Sequence, residues 1–186
     1  MIIHKGKKID YIEHGEGPAI LFIPGSFSTP SAWSAVQKLM PPNYRFISTS
    51  LCGYGSTEEL RSTDNYGMHN LIDILETVVA KIGQPVHLVG HSFGGMVALA
   101  CALSDRFEIL SITTFEANPI TLIDACRHRH LFEETIKIKD EFEAAFNAQN
   151  KNAAKIIIDF WVVMALLLQC PTLCNNIVVK QLITMC

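Results

Sequence analysis

The sequence predicts an α/β protein: a mostly parallel sheet with helices on both faces, incomplete and lacking its last strands. Three observations carry this expectation. Short apolar runs alternate with helix-patterned segments through residue 116, and such alternation gives a parallel sheet covered on both sides. Residues 86–95, VHLVGHSFGG, pass from a buried-strand pattern through Gly-His-Ser-Phe-Gly into an apolar helix. Four strand exits (Pro24-Gly25, the loop after Ser48, Ser92 and Glu116) fall on one rim, the carboxyl edge where such sheets meet ligands.

The elements follow in order. Lys8 to His14 alternates like an early strand, and Gly15-Glu16-Gly17-Pro18 is a turn. Ala19 to Ile23 is a continuous apolar strand. Ser31 to Met40 is a short helix with Trp33, Val36 and Leu39 on one face, stopped by Pro41-Pro42. Tyr44 to Ser48 is the next strand, and a polar loop containing LCGYGST follows it. Leu71, Leu75, Val78, Val79 and Ile82 recur at helical spacing, and Gly83 ends that helix. After the serine turn, Gly95 to Leu103 is small and apolar enough for a buried helix, and Ile109 to Phe115 is β-rich. Residues 1–116 thus form the core. Residues 117–161 are helical, with Phe132, Ile136, Phe142 and Phe146 as an apolar stripe. They form either a cap over the rim or packing helices outside the sheet.

Composition excludes several classes. A chain of 186 residues with net charge −3 and no basic block gives no reason to expect nucleic acid or an anionic membrane as partner. The expected partner is a small-molecule substrate. The longest apolar stretch, Phe160 to Leu168, is too short to span a bilayer. The first residues, MIIHKGKKID, hold no apolar signal core, and six cysteines without framework spacing suit a reducing, cytoplasmic setting. Cys126, His128 and His130 lack a fourth ligand nearby, so no metal site is expected.

Within the serine turn, Ser92 sits where a strand bends sharply into a helix, with its hydroxyl pushed out above the sheet. Gly90 and Gly94 lack the Cβ atoms that would clash there. The blander reading is an ordinary glycine-rich strand–helix turn. The strand–Pro24-Gly25-Ser26 loop followed by Trp33, the LCGYGST loop, the GHSFGG turn and the Phe115-Glu116 strand end together resemble the α/β-hydrolase fold over about residues 8–161. The resemblance implies acyl transfer to water without metal or organic cofactor. It implies Ser92 as nucleophile, with the N–H of Phe93 and one from Ser26 or Phe27 as oxyanion hole; losing one such donor typically costs ~10²–10³ in rate. It offers Glu116, 24 residues after Ser92, as the acid that orients the base; otherwise Glu116 is a carboxylate that braces the helical segment. Two departures stand out. The family usually has His-Gly where this chain has Pro24-Gly25, and Ser50 stands where an acidic residue commonly ends the strand before the Gly-x-Gly-x-Ser loop. Serine at position 92 disfavours the aspartate nucleophile of the dehalogenase branch. A non-catalytic ligand-binding module and a cofactor-free haloperoxidase remain as alternatives.

The family's base histidine lies near the C-terminus, whereas the last histidine here is His130. His91 adjoins the nucleophile, but neighbouring residues point apart, so it reads as structural. Residues 162–186 hold one charged residue, Lys180, of the 33 in the chain, and show no sustained period. Restoring one G after the Trp161 codon converts VVMALLLQCPTLC, suitably coded, into Gly-Gly-Asp-Gly-Ala-Phe-Ala-Ala-Met-Pro-Asp-Thr-Leu, a polar turn and an ordinary helix start. The expectation is a frameshifted tail; the rival is a genuine apolar terminal helix. Sequencing genomic DNA across the Trp161 codon decides it, because an open hydrolase-like frame continues downstream only in the first case.

Overall fold

Five strands form the central sheet of the computed structural model, which describes residues 1–117, 119 and 129–169, with side chains to 162. The chain divides into two compact units at 118/119. In the first, β1 (Ile2–His4) and β2 (Lys7–Ile9) make an antiparallel hairpin. The main sheet contains β3 (Ile12–His14), β4 (Ala19–Ile23), β5 (Arg45–Ser48), β6 (Val86–His91) and β7 (Ile109–Phe115), in the order β3-β5-β4-β6-β7. Only β3 runs antiparallel; the rest are parallel. This is the expected α/β architecture.

The sheet's core has two sides because successive strand residues face opposite ways. Leu21, Ile23, Ile47, Val86 and Leu88 pack with α2 (His69–Ile82) and α3 (Phe93–Ser104). Ile20, Phe22 and Phe46 face the other way and enclose Trp33. β4 is buried along its whole length, as a central parallel strand must be. The stripe read for α2 is entirely buried. Gly83 ends that helix in the left-handed region (φ 74°), and Arg45 Nη1 donates to the last-turn carbonyl of Ile82 at 2.8 Å.

Three local expectations need correction. The early strand is two strands in two different sheets, because the chain turns at Asp10, whose carboxylate accepts from Ser50 Oγ and the Ser56 N–H, both at 2.7 Å. The helix at 31–40 is a 3-10 turn, Pro30–Trp33, followed by α1 (Ser34–Leu39). The change from three to 3.6 residues per turn rotates the pattern, so Trp33 is buried while Val36 and Leu39 are exposed. In the second unit, α4 (Arg129–Asn147) is followed by α5 (Ala153–Gln169). α5 passes through Trp161 and Val162 without a break; its run from Phe160 to Leu168 is uniformly apolar and carries no periodic signal. Residues 170–186 of the unusual tail lie outside the described residues.

β3 is fastened by a polar cluster. Tyr11 donates to the Glu13 carboxylate, which also accepts from Arg45 Nε. Arg45 holds the Glu13 carboxyl below the usual range, while burial first, and then the bond to Glu13, pushes the Tyr11 hydroxyl from 10.0 up to about 12. The folded state therefore retains the phenol proton after the unfolded chain has lost it. The resulting stability is complete below pH 10 and is lost as pH rises towards 12. Urea midpoints are expected to fall across that window and to fall less steeply in Tyr11→Phe; parallel slopes in the two proteins would remove Tyr11 from the account.

Candidate active site

The rim is built by the exits of three strands that neighbour one another in the sheet, β4, β6 and β7. Each exit carries a non-glycine residue in the left-handed region: Phe27 (φ 59°), Ser92 (φ 50°) and Glu116 (φ 54°). Such geometry costs roughly 1–3 kcal/mol per residue and persists where surrounding structure enforces it. The enforcement at Ser92 is visible. Its N–H donates to Phe115 O at 2.8 Å, and its carbonyl accepts from Met96 N–H at 3.1 Å. A Cβ on Gly90 would lie 2.6 Å from Gly94 O, and one on Gly94 would overlap the carbonyl oxygens of Ile23 and Pro24. Helix α3 thus starts directly against the end of β4.

Ser92 is half-buried, and its hydroxyl does not cap the helix it precedes. Phe93 is the first residue of α3, so its N–H is one of the first-turn amides without an intrahelical acceptor. Ser26 and Phe27 are exposed on the turn after β4. The Phe27 ring meets Tyr54 edge-on, with centroids 6.1 Å apart at 86°. Trp33 packs under the rim against Phe22 and Phe115, at 5.2 and 6.2 Å between centroids.

Glu116 is brought beside the serine strand by parallel pairing, which sets His91 opposite Phe115. Its carboxylate is largely exposed and lies 3.4 Å from His91 Nε2. The Nδ1 side of that imidazole lies close to Gly25, where an added Cβ would stand 2.9 Å from Nδ1 and 3.2 Å from Ser92 Cβ. Sequence reasoning treated His91 as structural and missed this pairing. The one signal available was the register of two parallel strands, which no local pattern prints.

The other histidines of the described residues are engaged elsewhere. His4 Nδ1 lies 2.6 Å from Thr77 Oγ1, His69 Nε2 lies 2.6 Å from Asn65 Oδ1, and His87 Nδ1 lies 2.7 Å from Ser111 Oγ. His14 lies tilted against Phe46, with ring centroids 5.3 Å apart. His130 belongs to α4, while Cys126 and His128 lie outside the described residues. Among the described residues no group of three His, Cys, Asp or Glu side chains could hold a metal ion, and no helix is long and apolar enough to cross a membrane. Cys52 and Cys101 are buried; burial raises both thiols, that of Cys101 to about 12. Burial thus disfavours the thiolate, the reactive form, at both positions.

Comparison with known proteins bears on this geometry. Residues 20–163 match the model of the alpha/beta hydrolase family. A pimeloyl-[acyl-carrier protein] methyl ester esterase of Aeromonas salmonicida is 28% identical over 105 residues, which are 56% of this chain and 40% of that protein. An uncharacterized protein of Mycobacterium tuberculosis is 31% identical over 107 residues, 52% of this chain and 30% of its own length. Among solved structures, the thioesterase domain from the curacin biosynthetic pathway superposes with TM-score 0.56 at 28% identity, covering 62% of this chain and 44% of that one. An epoxide hydrolase from Vigna radiata gives 0.55 at 26% identity, covering 66% and 42%. The chain spans less than half the length of each of these relatives.

The close approach at Gly94 predicts the outcome of its smallest substitution. Gly94→Ala is expected to lose about 1–3 kcal/mol of stability as β4 and α3 are forced apart. Urea unfolding measures it, and a midpoint equal to wild type would show that the two elements have slack.

Proposed function

The chain belongs to the α/β-hydrolase family, and from that premise we propose that its rim is built for ester-type acyl hydrolysis with Ser92 as nucleophile. The observation that supports this most is the clustering of strain. Among the described residues, three of the six non-glycine residues with positive φ occupy adjacent strand exits. Strain of this kind collects where a side chain must be presented at a fixed place. The names of two relatives, a methyl ester esterase and a thioesterase, are consistent with an acyl substrate.

The chemistry would run as follows. Ser92 Oγ attacks the carbonyl carbon while its proton passes to a base. The carbonyl oxygen, now an anion, accepts from the N–H of Phe93 and from that of Ser26 or Phe27. Collapse of the tetrahedral intermediate breaks the bond to the alkoxy or thiolate group, which takes the proton from the base. Water then attacks the acyl-serine by the same route and restores Ser92. Fixed amide donors act on the charge as it develops, which is why they are usually worth more than any other single contribution. Glu116 stands on the same rim, where a carboxylate can orient an imidazole.

The polypeptide supplies the nucleophile and donors more clearly than the base. A serine without an adjacent base is a poor nucleophile, and among the described residues no imidazole is hydrogen-bonded to Ser92 Oγ: His91 turns Nε2 towards Glu116 and Nδ1 towards Gly25. Turnover by this chain alone is therefore expected to be weak or absent. That same observation favours the second reading, a small-ligand module of the same fold without catalysis. A fluorophosphonate probe separates them. Labelling that is lost in Ser92→Ala and accelerated by added imidazole supports the hydrolase site. No labelling of natively folded protein, with or without imidazole, favours the module. Rapid Ser92-dependent hydrolysis of a p-nitrophenyl ester would overturn the expectation of weak turnover.

A further inference from the structure

The loop after β5 lacks the acid that the family commonly places at that strand's end, because position 50 is serine. A carboxylate nevertheless stands there. Asp10, from the turn between β2 and β3, reaches the loop and accepts from Ser50 Oγ and from Ser56 N–H, each at 2.7 Å. Its main chain is engaged as well. Asp10 N–H donates to Thr57 Oγ1 at 3.0 Å, and Asp10 O accepts from Thr49 Oγ1 at 2.7 Å. Thr57 Oγ1 in turn donates to Ser50 O at 3.2 Å. Ser50, Thr49 and Thr57 are almost fully buried, so these bonds replace water that cannot reach them.

The attachment continues into β2. Lys8 N–H donates to Glu58 Oε2 at 2.7 Å, and Glu58 N–H donates to Lys8 O at 2.9 Å. Gly55 closes over the carboxylate: its φ is +57°, and a Cβ there would overlap Asp10 Oδ2 and lie 2.5 Å from Ser50 Oγ. The adjoining residue, Tyr54, is the one whose ring holds Phe27 edge-on. A continuous set of contacts thus joins Asp10, through Ser50, Gly55 and Tyr54, to the strained turn after β4.

We infer that Asp10 is a positioning residue for the rim: it supplies from the N-terminal hairpin the carboxylate missing at position 50, and through Gly55 and Tyr54 it fixes Phe27. Asp10 lies ahead of residues 20–163, the part matching the family model, so the N-terminal strands complete the site from outside the matched region. The importance of Phe27 to chemistry rests on the function proposed above; the anchoring of Phe27 does not. A half-buried carboxylate that accepts two bonds makes charge-assisted, directional contacts, and its position does not depend on which strand carries it. Moving the acid back to position 50 should therefore restore what its removal takes away.

The test uses the full chain in three forms besides wild type: Asp10→Ala, Asp10→Ser, and Asp10→Ser combined with Ser50→Asp. Two readouts are independent of activity: hydrogen exchange at the Ser56 amide, and the NOE between the Tyr54 and Phe27 rings. Asp10→Ala and Asp10→Ser are expected to speed Ser56 exchange about tenfold or more and to weaken the ring NOE, and the double variant to recover both. If the single variants fail to fold, the double variant must still fold and show both signals. Unchanged exchange and NOE in a folded Asp10→Ala overturn the inference, as does a double variant that recovers neither. A third readout is the rate of Ser92 labelling by a fluorophosphonate, expected to fall and recover with the NOE. Wild type that shows both structural signals but no labelling would count against Ser92 chemistry while leaving the anchoring by Asp10 supported.

Discussion

The rim depends on how closely the first turn of α3 approaches the end of β4. Gly94 sits under the carbonyls of Ile23 and Pro24, and Gly90 sits under Gly94. With those contacts in place the chain between them has one route, and that route drives Ser92 to φ 50° and ψ −119°. A serine would not choose this conformation. It is held by the bond from its N–H to Phe115 and the bond from Met96 to its carbonyl. The same crossing brings Gly25 against both His91 and Ser92, so the turn after β4 and the serine turn are positioned as one object. Backbone packing comes first here, and the side chains take the places it leaves.

What the sequence made legible was whatever a local period or a turn residue could announce. The α2 stripe, its end at Gly83, the limits of β7 and the serine turn all belong to this class. Illegible features were set by residues distant in the chain. Asp10 splits an apparently continuous strand because its partners, Ser50, Ser56 and Thr57, lie some forty residues on. His91 and Glu116 meet because two parallel strands run in a particular register. Val36 and Leu39 do not share the buried face of Trp33, because Pro30 starts a 3-10 turn that gives way to α1 at Ser34. Val162 to Leu168 shows no period because an all-apolar segment has no contrast to display.

The departures from the family pattern also have different weights. Pro24 in place of histidine leaves the backbone of the turn available and Ser26 and Phe27 exposed. Ser50 in place of an acid is met by a carboxylate from elsewhere, so the loop keeps its anchor with a changed source. The position of β7 is of another kind. Among the described residues it is paired on one side only, with Leu110 and Phe115 half-exposed. An edge of that length is a site where chains associate unless something covers it.

Trp33 gives the rim a chromophore of its own. The indole is 6% exposed and lies between Phe22 of β4 and Phe115 of β7, and Phe115 is the residue whose carbonyl receives the Ser92 amide. The chain's other tryptophan, Trp161, belongs to the second unit. Emission from the first ring therefore reports the spacing of the two strands that flank the serine strand, and a single Trp161→Phe replacement would leave that optical signal reading the state of the rim alone.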